Sequence, residues 1–399
     1  MTQHHKIVII GGGTAGITVA ARLADRVGGD NIALIEPSEK HYYQPMWTLV
    51  GAGVATAEST EKNEADYIPD GVTWIKDWAE ELKPEENAVV LKSGTTVTYD
   101  ALVVAPGLVT KWDAIDGLVN ALEHDPRVAS NYSFKFAPKT WEAMKSFKGG
   151  TALFTHPATP IKCGGAPQKI MYLFEDYLRK HGLRDKSSVD AYFQGGTIFG
   201  VPAFAKALEP ILEARDIHFH GRYDLVKIDR EKSEATFLHL DEGTEKTVHY
   251  DFLHVTPKMG PPDFMAKSAF ATTEAPTGWM AVDIHTLQSK AFKNVFGLGD
   301  VVALPTAKTG AAVRKQAPAV VENLLSVLEG KEPTKKYNGY TSCPLVTRFG
   351  KIIMAEFGYD DVLMPSFPLN PMRERWSMWM VKLFVLPVLY WQFMLRGKA

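Results

Sequence analysis

Cysteine is nearly absent from this chain, which has two in 399 residues. Two thiols are too few for the disulfide framework of small secreted proteins, so any pairing between them is expected to serve chemistry. A leader peptide is not expected either, because an apolar strand begins at Lys6 and leaves no space for a charged stretch followed by an apolar one. Uninterrupted apolar runs are also short of the roughly 20 residues that a spanning helix needs.

Strong charge of either sign is missing as well. The chain has 44 basic and 46 acidic residues, a net charge of −2, so no overall field attracts it to nucleic acid. The apolar fraction of 45% is ordinary for a globular protein, and the length is sufficient for two domains with substantial cores. We predict no metal site and no nucleic-acid partner.

A strand, a glycine turn and a helix are predicted from the residues KIVIIGGGTAGITVAARLAD. Gly11, Gly13 and Gly16 form the pattern G-x-G-x-x-G directly after the apolar strand. The first glycine permits a tight turn, the second lets the backbone approach a pyrophosphate, and the third lets helix and strand pack closely. The amides of Thr14 and Ala15 then point outward at the helix N-terminus, where the helix dipole favours an anion. This segment therefore predicts a dinucleotide site.

The second predicted strand, in NIALIEP, ends in Glu36, where a carboxylate can accept hydrogen bonds from both ribose hydroxyls. Two later strands, in YDALVVAPG and KNVFGLGDVV, favour FAD over NAD. Asp300 ends the latter and would hold a ribityl hydroxyl, a group that NAD lacks; a turn or N-cap aspartate is the alternative. A helix beginning near Gly310 and Ala311 would direct its positive end at the pyrimidine edge of a flavin.

The middle of the chain lacks the second glycine fingerprint that a nicotinamide site would need. Neither TALFTHPATPIKCGGAPQKI nor VDAYFQGGTIFGVPAFAKAL has the required spacing. Cys163 stands there instead, next to Lys162 and just before a predicted helix with Pro167 in its first turn. A helix N-terminus and a lysine both lower the pKa of a thiol, so this position suits a reactive thiolate, and a small buried apolar residue is an equal alternative.

The second cysteine, Cys343, begins a C-terminal segment with two apolar stretches, LVTRF and KIIMAEFGY, which predict a strand hairpin. Chain position alone does not indicate that Cys163 and Cys343 meet. His156, in FTHPATP, is a candidate neighbour of the pocket, although a packing role is favoured for it.

The glycine fingerprint, Glu36, ALVVAPG and FGLGD together resemble the two-dinucleotide-binding-domain flavoproteins over residues 1 to about 330. HYYQP after the acidic strand end is similar to the branch that contains sulfide:quinone oxidoreductases and type II NADH dehydrogenases. In that branch the counterparts of Gln44 and Pro45 lie along the FAD, and the counterpart of Ala79 meets the adenine through its backbone.

The segments PIKCGGAPQKIMYL and YTSCPLVTRFGK closely resemble the two cysteine segments of sulfide:quinone oxidoreductases. In that family the two cysteines lie on either side of an active pocket. Many bacterial members have a third, N-terminal cysteine that is sometimes bonded to the flavin. None is present here, so the resemblance implies noncovalent FAD and the two-cysteine branch shared by mitochondria and some bacteria.

This resemblance implies an α/β protein with two Rossmann-like dinucleotide-binding domains and a C-terminal amphipathic membrane-binding segment. The expected domains are a discontinuous FAD domain at 1–110 and 280–330, a second domain without nicotinamide fingerprint at 111–279, and a C-terminal region at 331–399.

The implied reaction is oxidation of hydrogen sulfide. Sulfide would attack the oxidised cysteine pair, leaving a persulfide on Cys343 and a thiolate on Cys163, a good leaving group if its pKa is low. The electrons would pass through FAD to a membrane quinone. A small nucleophile (glutathione, sulfite or sulfide) would then remove the persulfide sulfur.

The chain changes in composition after Pro371, where MRERWSMWMVKLFVLPVLYWQFMLRGKA contains three tryptophans flanked by basic residues. Trp376, Met380 and Phe384 share one helical face, and Pro387 is expected to divide the segment into two short helices. We predict a helix pair lying in the membrane interface, with ordinary docked helices or a dimer contact as the alternative. The expected location is the surface of a respiratory membrane, preferably a bacterial inner membrane, with no prediction of the side.

Three other functions compete with this interpretation. A type II NADH:quinone dehydrogenase would be bleached by NADH rather than sulfide, and a flavocytochrome-type sulfide dehydrogenase would pass electrons to a haem subunit. A flavin-binding redox sensor would use its cysteines as a switch without turnover.

Overall fold

Two sheets organise the chain, and the computed structural model describes residues 2–399. The first sheet has seven strands in the order β5-β2-β1-β8-β7-β6, with β19 paired to β8. The second has five parallel strands in the order β10-β17-β11-β12-β13. The strands are β1 (Thr2–Ile10), β2 (Ile32–Ile35), β3 (Lys40–Tyr42), β4 (Glu61–Asn63), β5 (Thr73–Ile75), β6 (Ala79–Lys83), β7 (Ala88–Leu91), β8 (Thr96–Val104), β9 (Val109–Lys111), β10 (Val128–Ala129), β11 (Gly150–His156), β12 (Ser187–Phe193), β13 (Ile217–Gly221), β14 (Tyr223–Asp229), β15 (Glu234–His239), β16 (Glu245–His249), β17 (Phe252–His254), β18 (Lys258–Gly260), β19 (Val295–Gly297), β20 (Thr341–Arg348) and β21 (Lys351–Phe357).

Helices cover the faces of these sheets, as expected of an α/β protein whose strands are apolar and buried on both sides. The helices are α1 (Thr14–Val27), α2 (Trp47–Val50), α3 (Leu118–His124), α4 (Ala137–Ser146), α5 (Ala166–Lys180), α6 (Pro202–Ala214), α7 (Asp263–Ala266), α8 (Gly310–Leu328), α9 (Trp376–Met380) and α10 (Leu386–Val388).

The first sheet is built around β1, whose residues Ile7 to Ile10 are buried and pair in parallel with β2 on one side and β8 on the other. Gly11 ends the strand with φ of +95°, and a side chain there would place its Cβ 2.4 Å from the carbonyl oxygen of Ala105. Only glycine fits this turn. The predicted strand, glycine turn and helix are therefore present, with α1 beginning at Thr14.

The second sheet carries the strand–turn–helix unit β11–α5, and Cys163 lies in its turn. The predicted helix is α5, with Pro167 in its first turn and Gly182 just beyond its end at φ of +65°. The predicted hairpin is the antiparallel pair β20–β21, which begins near Cys343 and packs on α5. The division into domains at 110, 279 and 330 stays a prediction.

The C-terminal helix is one helical run, Trp376–Met394, rather than two pieces. Its α-helical parts α9 and α10 alternate with π-helical turns at Val381–Val385 and Leu389–Met394. Pro387 lies inside the run, because the looser π-helical turns on either side accommodate a residue without a backbone N–H. By length and composition alone this is the one helix in residues 2–399 that is long and apolar enough to cross a membrane.

Candidate active site

Cys163 and Cys343 lie 180 positions apart in the chain, and their sulfur atoms are 3.4 Å apart in the fold. Both thiols are free. Cys163 comes from the turn between β11 and α5, whereas Cys343 is a buried residue of β20. A short movement of either side chain would bring the sulfurs to bonding distance, so the site can alternate between a dithiol and a disulfide.

The Cys163 turn is held from both sides. Cys163 has φ of +55°, which is a left-handed backbone conformation. This conformation is energetically unfavourable for any residue that has a side chain, and it occurs mostly at functional sites. Its N–H donates to the carbonyl oxygen of Lys308 at 2.9 Å, and its own carbonyl accepts from the N–H of Ala166 at 2.8 Å. Lys308 lies between β19 of the first sheet and α8. The hydrogen bond from Cys163 to Lys308 therefore links the Cys163 turn of the second sheet to the β19–α8 segment.

Lys169, rather than the predicted Lys162, is the lysine that contacts the sulfur. Its Nζ donates to the Cys163 sulfur at 3.2 Å, whereas Lys162 Nζ donates to Gln44 Oε1 at 2.6 Å. The prediction from chain adjacency was wrong because consecutive side chains of the turn diverge. Lys169, in contrast, lies on the second turn of α5 and reaches back to the sulfur.

The two thiols differ in acidity. The pKa of Cys163 lies well below its ordinary value, first because the Cys343 thiol donates a hydrogen bond to its sulfur and then because of the Lys169 ammonium. The same hydrogen bond, together with burial, raises the pKa of Cys343. Cys163 is therefore the more acidic thiol of the pair.

Gly165 sets the space between the sulfurs. An added Cβ there would lie 2.5 Å from the Cys343 sulfur and 2.4 Å from Leu345, although φ of −93° would suit any residue. We expect Gly165→Ala to displace Cys343 and to slow closure of the disulfide by roughly tenfold or more. The measurement is the loss of free thiols with time after addition of an oxidant to the reduced protein.

Gly164→Ala is the matched control, because an added Cβ at Gly164 meets no atom within 4 Å. Equal rates of disulfide closure in the two alanine variants would contradict the steric role of Gly165.

The C-terminal helix also reaches this site. Lys382 is 3% exposed, and its Nζ donates to the carbonyl oxygen of Pro45 at 3.0 Å. Burial and the nearby charge of Lys169 lower the pKa of Lys382 to about 7. The sequence identified Lys382 only as a basic residue flanking an apolar segment, because no local pattern indicates what a tertiary contact will bury.

The glycine turn forms a cradle that fits a dinucleotide. The open side of the turn is at Gly13, where an added Cβ would meet nothing within 4 Å, whereas at Gly16 it would lie 1.8 Å from the carbonyl oxygen of Gly11. Glu36 follows β2 and accepts from the N–H of Gly12 at 2.7 Å, so its carboxylate lies at the edge of the turn. Burial raises the pKa of this carboxyl group.

The second part of the cradle is the segment between β19 and α8. An added Cβ at Gly299 would lie 3.1 Å from Ala15, so Asp300 sits near the N-terminus of α1. Lys308 Nζ donates to the backbone oxygen of Asp300 at 2.7 Å, and burial raises the pKa of the Asp300 carboxyl. α8 begins at Gly310, as predicted, and is capped by Thr309.

The other predicted contacts are distributed unequally. Gln44 and Pro45 are joined to Lys162 and Lys382, near the cysteine pair. Ala79 begins the edge strand β6, where it pairs with Leu91, and its backbone contact with the adenine stays a prediction.

His156 also lies apart from the sulfur chemistry. Its Nδ1 is within 3.1 Å of the carbonyl oxygen of Pro157, and its ring packs against Phe193. The packing role favoured for this histidine fits these contacts.

A hydrogen-bonded chain at the glycine turn escaped the sequence analysis. Tyr390 Oη lies 2.7 Å from Thr14 Oγ1 and 2.6 Å from His41 Nε2, and His41 Nδ1 lies 2.9 Å from Glu64. Thr14 and His41 belong to the glycine fingerprint and to HYYQP, respectively, whereas Glu64 and Tyr390 lie outside any motif. The chain ties the C-terminal helix to the first turn of α1.

These features define a class before they define a family. Residues 5–140 match a family model described as pyridine nucleotide-disulphide oxidoreductase. The fold is the mixed α/β fold of that class. A solved sulfide:quinone oxidoreductase from Aquifex aeolicus has a similar fold at a TM-score of 0.81 and 21% identity, covering 100% of this chain and 92% of the other.

More similar relatives indicate the family. The chain is 44% identical to mitochondrial sulfide:quinone oxidoreductase of Mus musculus over 99% of its own length and 87% of the relative. It is 45% identical to the mitochondrial sulfide:quinone oxidoreductase of Dictyostelium discoideum over 98% of its own length and 86% of that relative. The chain therefore belongs to the sulfide:quinone oxidoreductase family, and it is a flavoprotein oxidoreductase.

Proposed function

We propose that this protein oxidises hydrogen sulfide at the Cys163–Cys343 pair and passes the electrons through FAD to a membrane quinone. The observation that carries the proposal is the 3.4 Å separation of the two sulfurs, with Lys169 donating to one of them. The names of the relatives supply the substrates, and the local chemistry suits them because a dithiol/disulfide pair exchanges two electrons with a sulfur nucleophile.

The reaction begins from the oxidised pair. Hydrosulfide attacks the Cys343 sulfur, a new S–S bond forms, and the bond to Cys163 breaks with the electron pair remaining on Cys163. Lys169 stabilises the resulting thiolate through its charge and hydrogen bond. Bound FAD supplies an acceptor for the two electrons. A small nucleophile (glutathione, sulfite or sulfide) takes the outer persulfide sulfur, after which the pair can be oxidised again.

FAD is proposed to bind between the glycine turn after β1 and the segment between β19 and α8. The binding is proposed to be noncovalent because the chain has no third cysteine. Open space over Gly13 supports this arrangement, and so does the N-terminus of α8, whose Thr309 cap takes up the N–H of Ala312. The proposed contacts are Gly11, Gly13, Thr14, Ala15, Gly16, Glu36, Gln44, Pro45, Ala79, Asp300, Gly310 and Ala311.

Membrane attachment is proposed to occur through the outer face of the C-terminal helix. Among residues 2–399, nine of the twelve exposed large apolar side chains lie between Val362 and Phe393. Trp376, Phe384 and Val388 are each more than half exposed on the helix, whereas Lys382 on its inner face is buried. A helix with one face docked on the protein and the other apolar is suited to lie in a membrane interface rather than to span it.

The proposed location is therefore the surface of a respiratory membrane, where a lipid-soluble quinone reaches the site without entering water. The two relatives of 44% and 45% identity are mitochondrial proteins, so the expected preference for a bacterial inner membrane finds no support.

An anaerobic titration tests the function. We expect sodium hydrosulfide to bleach the flavin absorbance of the purified holoprotein, and a short-chain quinone added afterwards to restore it. NADH is the control reductant, and it should leave the absorbance unchanged because the second sheet lacks a glycine fingerprint. Bleaching by NADH but not by hydrosulfide would select the NADH dehydrogenase, and bleaching without restoration by any quinone would select the redox sensor.

A further inference from the structure

Buried polar groups without partners collect at the carboxyl edge of the second sheet. β10 and β17 pair there with Ala129 opposite His254, and β17 pairs in parallel with β11, the strand that leads into the Cys163 turn. Among residues 2–399, twelve buried side-chain nitrogen or oxygen atoms lack a hydrogen-bond partner, and five of them are at or just after the ends of these two strands. They belong to Asn131, Tyr132, His254 and Thr256. Carboxyl edges of parallel strands are where α/β sheets bind ligands.

Two hydroxyls of this group lie side by side. Tyr132 is 6% exposed and Thr256 is 1% exposed, and neither hydroxyl makes a well-formed hydrogen bond among residues 2–399; the weak approach of each to the other is the only polar contact that either has there. The Thr256 hydroxyl is close enough to the phenol to oppose the rise in the pKa of Tyr132 that burial causes. An unpaired buried hydroxyl costs about 1–3 kcal/mol. Two such groups next to each other therefore indicate a missing ligand rather than a packing accident.

The Tyr132 ring lies against the cysteine turn. It belongs to one buried apolar cluster with Ile161, which precedes Cys163, and Ala166, which follows Cys163, packs against that cluster. Lys162 Nζ is 6.0 Å from the centre of the ring. Burial raises the pKa of Tyr132, and the charge of Cys163 raises it further. The phenol therefore stays protonated and can donate a hydrogen bond to an acceptor.

Positive charge surrounds the same space. Lys162, Lys169 and Lys382 are all non-exposed and lie at the cysteine turn, at the Cys163 sulfur and at Pro45, respectively. Asp300 is the carboxylate that acts on Lys162. Three lysine side chains, of which Lys169 keeps its charge most firmly, and two hydroxyl donors without a well-formed hydrogen bond favour a small anion that accepts hydrogen bonds.

We propose that the Tyr132 and Thr256 hydroxyls bind the small sulfur anion that reacts at the cysteine pair. The anion is hydrosulfide on its way to Cys343, or a sulfur oxyanion such as sulfite that removes the persulfide sulfur. This inference deepens the proposed function and rests on it for the identity of the anion. Tyr132 and Thr256 would then decide which nucleophiles enter.

The Tyr132→Phe variant tests the site against a matched control. Tyr99 of β8 is also a buried tyrosine with an unpaired hydroxyl, 2% exposed, but it lies in the first sheet. We expect kcat/KM to fall by about tenfold or more in Tyr132→Phe, the usual loss for a hydrogen bond to a charged group, and to stay at the wild-type value in Tyr99→Phe. Two rates distinguish which anion the site binds. The rate of flavin bleaching by hydrosulfide reports on hydrosulfide, and the rate of persulfide transfer to sulfite reports on sulfite.

Thermal unfolding supplies a readout that needs no turnover. A purely structural hydroxyl would lower the Tm when removed, whereas an unpaired one leaves the Tm unchanged or raises it. We also expect sodium sulfite or sodium hydrosulfide to raise the Tm of the wild-type protein, and this increase to be lost in Tyr132→Phe and reduced in the isosteric Thr256→Val.

The outcomes distinguish this inference from the proposed function. A loss of either rate together with an unchanged resting Tm supports the anion site. Wild-type rates with both nucleophiles in Tyr132→Phe and Thr256→Val would overturn it and leave ordered water as the occupant. If the wild-type protein binds sulfite through Tyr132 but is not reduced by hydrosulfide, the anion site stands and the proposed reaction fails.

Discussion

Sulfide-dependent quinone reduction is expected to fall by a factor on the order of 10³ or more in Cys343→Ser and in Cys163→Ser. The first variant has no sulfur to carry the persulfide, and the second has no acidic thiolate to leave when the pair is attacked. The measurement is the anaerobic rate of flavin bleaching by hydrosulfide, followed by steady-state reduction of a short-chain quinone.

The control for this pair is Ser342→Ala, one residue from Cys343 on β20. The Ser342 hydroxyl contacts the sulfur of Met354 at 3.6 Å rather than the cysteine pair, so its removal should leave the rate within about twofold. Flavin content is measured in every variant to exclude loss of the cofactor. Wild-type bleaching in either serine variant would remove the cysteine pair from the reaction.

Membrane binding is expected to weaken by roughly tenfold or more in the double variant Val385→Asp, Val388→Asp. These valines are 54% and 52% exposed on the outer face of the C-terminal helix, so the substitutions should not disturb the buried side that carries Lys382. Sedimentation with liposomes measures the binding. Reduction of a long-chain quinone in vesicles should fall with it, while reduction of a short-chain quinone in solution persists.

The matched control changes two exposed valines elsewhere. Val109 and Val119 are 45% and 44% exposed and lie outside the C-terminal segment, so Val109→Asp, Val119→Asp should sediment with liposomes as the wild-type protein does. Equal binding of both double variants would assign the apolar face to a protein contact instead of lipid.

The first dinucleotide segment was predictable because its signal is local. Gly11 ends a buried strand at positive φ, and the spacing to Gly16 is fixed by the geometry of one turn. The hairpin at Cys343 and the helix after Cys163 were predictable for the same reason. The apolar strand pattern, and Pro167 and Gly182 at the two ends of the helix, are signals that each depend on only a few neighbouring residues.

The meeting of Cys163 and Cys343, in contrast, was implied only by resemblance, because no periodicity relates residues in different sheets. The assignment of Lys162 to the thiolate failed because chain adjacency does not fix the direction of a side chain. Lys382 and Tyr390 could not be assigned to the site from the sequence at all, since their contacts with Pro45 and Thr14 depend on how the C-terminal helix docks.

That docking has a consequence for how the protein responds to its surroundings. In the same helix Phe384 is exposed, Lys382 donates a hydrogen bond to Pro45, and Tyr390 is hydrogen-bonded to Thr14 of the glycine turn. Binding of lipid to the outer surface, as proposed, would therefore act on a helix that also contacts Pro45 and Thr14 beside the proposed sites. A variant without this helix would lose the contacts of Lys382 with Pro45 and of Tyr390 with Thr14. Rate measurements on the protein with this helix should therefore control the composition of the bilayer.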